Sequence, residues 1–382
     1  MLLLLVPLSG CVPPDARIDC AHRPAAGTEP PEGLSGFELL EVDPDRSEMQ
    51  DLHLLLTSTD DANGSSFSAT IDGCGHLEFW AAPASPEIRI MRTHLGRDGE
   101  SVLFGTRHRN TNVDEGRIQR VDLEGDPVSS TRAVDHHHDF VELPEGGFLY
   151  FSRERVPDTW LGTGANVAAD ALRIAPDGSR NEAEHELVWS ALSDIGAEPE
   201  QLCGHTRESG GFIPGHIDWT HANSLARDDA SGEITMGVRH FDAVLRMHED
   251  GTPKWWLGGP LGTLTPLNGA APPRHGHFSE AWSDGLVVFD NGNHVPDAIT
   301  RVVEYRIDED AGTYEEVFSF EHPTGRFFNS RGDVRRTPGG NYVIAWTGNG
   351  QVWEVTPEGD VVWGVKTQHK VVRMEILGAW PP

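Results

Sequence analysis

The chain has 382 residues and carries 60 acidic residues against 30 Lys and Arg, a formal charge of −30. A surface so negative repels nucleic acid, which is bound through basic patches, and this sets DNA and RNA aside as partners. Hydrophobic residues at 37%, with 42 Gly, 26 Pro and 11 Trp, mark a folded, turn-rich chain rather than a disordered one.

The first residues read MLLLLVPLSGC. An apolar run ending in Leu8-Ser9-Gly10-Cys11 has the form of a bacterial lipoprotein signal peptide over residues 1–10, with lipidation at Cys11. The run is too short to span a bilayer as a helix. An ordinary signal peptide is the plainer alternative. Residues 11–34 are Pro- and Ala-rich, which suits a tether, and residues 35–382 remain for a single folded domain. The expectation is an exported protein, lipid-anchored in the bacterial cell envelope and meeting membrane only through Cys11. Of Cys20, Cys74 and Cys203, an exported protein can pair two, and spacing does not say which.

Beyond the tether one phrase recurs: a β-branched or apolar run, an acidic-Gly turn, then a strand often ending in Trp. It appears as ATIDGCGHLEFW at 69–80, IQRVDLEGDPV at 118–128 and ALRIAPDGSRNEAEHELVW at 171–189. It returns as VLRMHEDGTPKWW at 244–256, VEYRIDEDAGTYEEVF at 303–318 and VWEVTPEGDVVW at 352–363. Turn glycines in these six copies stand at 73, 125, 178, 251, 312 and 359. A second hairpin precedes most copies, as in HDFVELPEGGFLYF, HFSEAWSDGLVVF and GDVRRTPGGNYVIAW. Four short strands per unit at a period near 50 residues predict an all-β, six-bladed β-propeller of four-stranded blades. The ring is expected to close by pairing VVRMEIL (371–377) with strands around FELLEV and LHLLL.

Alignment of the inner hairpins places four basic residues at one position. Eight residues before Gly146, Gly285 and Gly339 stand His138, His277 and Arg331, and eleven before Gly232, where the turn is longer, stands His221. In a propeller the innermost strand of each blade lines the axis, so these side chains are expected to converge there. Together they would make a cationic pocket within a strongly acidic protein, attracting an anion against the general field. His275 and His277 are two apart and, in a strand, would share a face. In His136-His137-His138-Asp139, alternation would send His136 and His138 one way and His137 and Asp139 the other. Carboxylates are scarce at the registered position, which argues against a calcium site.

WTHANSL (219–225), GVRHFDAVLRM (237–247), WWLGGP (255–260), HFSEAW with VVFDNGN (277–293) and TRVVEYRID (300–308) resemble, in this order, the core motifs of the bacterial aryl-sulfate sulfotransferase family. The likeness runs over roughly residues 70 to 380. It departs at Gly276, where the family usually has Gln before its acceptor histidine. The resemblance implies a six-bladed propeller that moves a sulfuryl group from an aryl sulfate donor to a phenol acceptor without a nucleotide or other cofactor. It further implies that His277 is the transient sulfuryl acceptor and that His221, His138 and Arg239 are its catalytic partners. Asn223, Arg331 and His275 are expected to bind substrate, with His275 also a competitor of His277 for the acceptor role, and no metal is expected. Two other classes fit the same fold: a non-catalytic propeller lipoprotein that scaffolds partners, and a metal-dependent hydrolase with an ion in the channel.

Overall fold

The computed structural model describes residues 37–59, 65–83, 85–109, 116–157, 166–196, 213, 215–378 and 380. Cys11 and the tether lie outside the described residues. Cys74 is disulfide-bonded, and the other three cysteines, Cys11, Cys20 and Cys203, all lie outside the described residues.

Six antiparallel sheets of at least four strands form a six-bladed β-propeller. From the axis outward, the first blade is Lys370–Leu377, His53–Thr59, Ser66–Ile71 and Leu77–Ala81. The second is Ile88–Leu95, Ser101–His108, Arg117–Asp122 and Pro127–Arg132; the third is Phe140–Glu142, Phe148–Val156, Asn166–Ala175 and Glu186–Ser190. The fourth is Ala222–Arg227, Ile234–Val238, Ala243–Met247 and Pro253–Gly258; the fifth is Phe278–Trp282, Gly285–Asp290, Arg301–Asp308 and Thr313–Glu321. The sixth is Asp333–Arg336, Tyr342–Trp346, Gln351–Val355 and Val361–Lys366. Each of the six repeat glycines falls between the two outer strands of its blade. Of these, Gly125, Gly178, Gly251, Gly312 and Gly359 have positive φ, the conformation in which the missing Cβ costs nothing.

The ring closes through Lys370–Leu377, which pairs antiparallel with His53–Thr59 and supplies the innermost strand of the first blade. FELLEV does not join it. Strand Glu38–Val42 instead adds an outer edge to the sixth blade beside Val361–Lys366. The reason lies in the chain that follows. Glu48 accepts hydrogen bonds from Thr337 Oγ1 (2.5 Å) and the Gly339 amide (2.7 Å), and buried Glu354 accepts from the Glu48 amide and Asn341 Nδ2. These bonds hold residues 43–50 against the sixth blade before the chain reaches the first.

Trp189 and Trp256 are buried in one apolar cluster shared by the third and fourth blades, and Trp363 in a second shared by the sixth and the first. The registered hairpins turn the starts of their innermost strands to one end of the ring. His138, His221, His277 and Arg331 all stand one or two residues ahead of those strands.

Candidate active site

None of these four residues lies within a strand, so alternation does not govern them. His138, His221 and Arg331 adopt left-handed backbone with φ of 55°, 49° and 65°. Such values are uncommon for residues with a Cβ, and they gather at functional sites where the surroundings hold them. In the fifth blade the left-handed residue is His275 (φ 55°), two positions earlier. That kink gives His275 and His277 different surroundings, contrary to the shared face expected of a strand.

Three imidazoles meet near the axis. The His138 ring lies 4.9 Å from that of His221 and 6.3 Å from that of His277, centroid to centroid. All three histidines are buried or nearly so, His277 at 8% exposure. Arg373, on the closing strand, donates to His277 Nδ1 at 2.7 Å. It also donates to the carbonyl oxygens of Gly332 (3.1 Å), His277 (3.0 Å) and Asn223 (2.5 Å). Burial, then the charges of Arg373 and Arg239, hold the imidazolium of His277 well below the usual histidine range. Burial with the charges of His221, His137 and His277 does the same to His138. Both rings are therefore neutral at neutral pH. Burial also presses Arg373 down to about 10, still cationic.

The neighbours orient the rings. Asp218 Oδ2 accepts from His221 Nδ1 at 2.6 Å, which directs His221 Nε2 away from that carboxylate. Burial alone would raise Asp218, but His221 and His240 overcome it and hold the carboxylate ionised. His137 Nε2 lies 3.1 Å from Asp170 Oδ1, and His137 Nδ1 lies 2.9 Å from His138 Nδ1. If His137 Nε2–H donates to the carboxylate, His137 Nδ1 accepts from His138, and His138 Nε2 carries a free lone pair. His137 thus faces His138 rather than turning away from it. His136 stays apart, edge-on to Phe140 and Tyr150, and Asp139 pairs with Arg92.

Arg239 begins a short 3₁₀ turn, Arg239–Phe241, that follows the second strand of the fourth blade. It donates to the Asn329 carbonyl at 3.3 Å, and its charge bears on both His277 and His275. Asn223 is fully buried and donates to the Gly276 carbonyl, while its Oδ1 has no hydrogen-bond partner. Arg331 is half-buried, and its carbonyl accepts from Asn291 Nδ2. The guanidinium against His277 is that of Arg373. His275 stands at the far end of a row of rings: His221 stacks on His240 at 4.6 Å, His240 lies 5.8 Å from His275, and His275 Nε2 lies 3.2 Å from His294 Nε2. Asp242 takes His275 Nδ1 at 2.7 Å, so both nitrogens of His275 are engaged. Burial lowers His275 to about 4.

Deeper in the channel the charges are paired. Arg92 lies between Asp139 and Asp333, Arg335 pairs with Glu280, and His94 with Glu375. Among the described residues Arg373 makes no such ion pair, although the charges of Asp333 and Asp139 reach it. Its donors are spent on carbonyls and an imidazole, and it lines the side of the pocket where His277 sits. Ligand-capable atoms of Asp218, His221 and His240 lie within 4.8 Å of one another, close enough for a divalent cation. Hydrogen bonds from His221 and from His240 Nδ1 to Asp218 account for the same arrangement without one.

Fold and site define a propeller protein in which buried imidazoles from three blades meet beside a guanidinium where the inner hairpins converge. The chain belongs to the arylsulfotransferase (ASST) family, whose model matches residues 40–377. It is 28% identical over 240 residues to the arylsulfate sulfotransferase AssT of Escherichia coli O6:H1 (strain CFT073), a stretch that covers 54% of this chain and 38% of that protein. The matched stretch thus spans well under half the length of that relative. Among solved structures, a nidogen/laminin complex matches with a TM-score of 0.47 at 11% identity, over 85% of this chain and 98% of that one. A 6-phosphogluconolactonase-like protein of Bacteroides uniformis matches at 0.46 and 12%, over 84% and 83%. Neither carries any weight for function.

Proposed function

We propose that this protein transfers a sulfuryl group from an aryl sulfate ester to a phenol through a transient sulfo-histidine at His277. The observation that carries this reading is the convergence of His138, His221 and His277 from three blades at a buried place where burial, then the charges of Arg373 and Arg239, keep His277 neutral. A neutral imidazole has the lone pair that attack on sulfur needs.

In the resting pocket Arg373 occupies Nδ1 of His277. A donor sulfate offers this guanidinium a better acceptor, since its forked N–H groups match two sulfuryl oxygens. The ring proton, on Nε2 while Arg373 donates to Nδ1, exchanges through solvent onto Nδ1, which then donates to the Gly332 carbonyl, 3.4 Å away, and Nε2 is left as the nucleophile. The Nε2 lone pair forms the N–S bond as the S–O bond to the aryl group breaks. The aryl oxygen departs as the phenolate anion, or takes a proton from His221 Nε2 once that ring has received one passed on by His138 from the phenol of the preceding turnover. In the second half, His138 Nε2 takes the proton of the incoming phenol and its oxygen attacks sulfur. The N–S bond breaks and His277 is restored. Arg239 holds the sulfuryl oxygens while attacking and leaving atoms stand in line, as in phosphoryl transfer. Asn223 and Arg331 border the pocket as substrate-binding residues. The engaged nitrogens of His275 favour His277 over it as nucleophile and leave His275 to support the wall.

The test uses purified protein, p-nitrophenyl sulfate and phenol. Nitrophenol release that depends on phenol is expected, with a sulfo group on a peptide containing His277 after rapid acid-free quenching. His277→Ala should remove at least about a thousandfold of the rate, as expected for loss of a covalent nucleophile, while keeping native circular dichroism. A folded His277→Ala protein that transfers normally would refute the assignment. The Asp218, His221 and His240 group favours one second reading, a metal-dependent hydrolase. In that case release would need no phenol and would stop with a chelator.

A further inference from the structure

One group of charges is left unexplained by sulfuryl transfer. Arg89 and Arg107 stand opposite each other across the first two strands of the second blade. Arg153 and Arg155 end the second strand of the third blade, at the same end of the ring as His138. In a chain with 60 acids against 30 bases, four arginines gather here. The carboxylate among them, Asp135, is held by both guanidinium nitrogens of Arg155. Arg153 is only 9% exposed and, among the described residues, takes part in no ion pair and finds no hydrogen-bond partner for its Nε. It stands directly across the sheet from Asp170, but that carboxylate is taken by His137, Thr220 and the Ala222 amide. Arg107 is half-buried and among the described residues has no ion pair of its own; the charges of Arg153, Arg89 and Arg155 bear on it and that of Asp135 opposes them. Burying like charges is costly, and the carboxylates whose charge offsets these arginines, Asp135, Asp170 and Asp218, are each engaged by other groups; the charge of Arg153 also reaches His138 and His137 next door.

We propose that Arg107 and Arg153 form a second anion subsite beside His138, which takes a carboxylate, sulfonate or phosphate carried on the aryl group of a substrate. This rests on the reading of the imidazole pocket as the sulfuryl-transfer site. It makes the preferred substrates dianions: one charge at Arg239 and Arg373, the other at Arg107 and Arg153. A guanidinium without a carboxylate partner exchanges only water for the ligand, so the ion pair forms at little cost to the fold.

The test is binding, which needs no turnover. Calorimetric titration at fixed ionic strength compares benzene-1,3-disulfonate with benzenesulfonate. The disulfonate is expected to bind at least about tenfold more tightly, the gain of one charge-assisted, partly desolvated pair. Arg107→Gln should bring that ratio close to one, and Arg107→Lys should recover part of it. Circular dichroism checks that both variants fold. A ratio of one in the unaltered protein, or a ratio unmoved by Arg107→Gln in a folded variant, overturns the proposal. Its failure is distinct from failure of the transfer reading. A protein that passes the p-nitrophenyl sulfate assay with a ratio of one lacks only the second subsite. One that binds the disulfonate selectively but transfers nothing keeps the subsite and loses the chemistry.

Discussion

At His277, burial is the largest influence on the proton and Arg373 is the second. Removing the guanidinium therefore relaxes His277 upward toward its ordinary range without reaching it. For Arg373→Met, the acid limb of the kcat/KM profile is expected to move to higher pH, because the imidazole now takes a proton and loses its lone pair sooner on acidification. The rate at the plateau should also fall by about 10- to 1000-fold, as when one oxyanion donor is lost. A pH–rate profile superimposable on that of the unaltered protein would show that Arg373 does not govern His277. His138, His221 and His277 can be read from the sequence because each sits at a countable distance from a turn glycine, and the count survives folding. Arg373 cannot be found that way. Its distance from His277 in the chain is 96 residues and its contact depends on ring closure. The pairing of His137 with His138 is hidden for another reason. It requires the positive φ of His138, and no local pattern announces a strained histidine.

The inner hairpins carry their own constraint. Gly332 has φ of 109°, and a Cβ there would lie 2.1 Å from the Phe289 ring of the neighbouring blade. Its carbonyl is also the point where Arg373 and His277 Nδ1 meet. Gly332→Ala should cost on the order of 3 kcal/mol through backbone strain and overpacking, read as a lower midpoint in urea. It should depress transfer as well, since the strand start must shift. A neutral effect on both would mean that the hairpin yields freely. The repeat of turn, strand and tryptophan is legible because every blade solves the same packing problem with the same residues. The placement of FELLEV is not, because its apolar pattern suits any exposed sheet edge. Polar groups decide the matter: the contacts of Glu48 and Glu354 with the sixth blade fix that edge.

The whole molecule keeps an unusual number of imidazoles neutral and out of water. Burial is the largest cause in each case, lowering His136 to about 3 and His137 and His275 to about 4, with His138, His240 and His277 also well down. The unfolded chain takes up these protons near pH 6.5, while the folded chain does not until far lower pH. Stability is thus fully present above pH 6.5 and is lost as pH falls toward about 4, at up to about 1.4 kcal/mol per pH unit for each such group. Carboxylates held low by cations, such as Asp139 and Asp218, add their loss only below that window. The melting temperature should drop steeply between pH 7.5 and pH 5. A flat profile across that range would mean that the pocket admits protons without unfolding. Because Arg373 arrives on the strand that seals the ring, a nascent chain that has made five blades and the outer strands of the first still has an open wall beside His277. On the proposed reading, competence for transfer then appears only when the last sheet is completed.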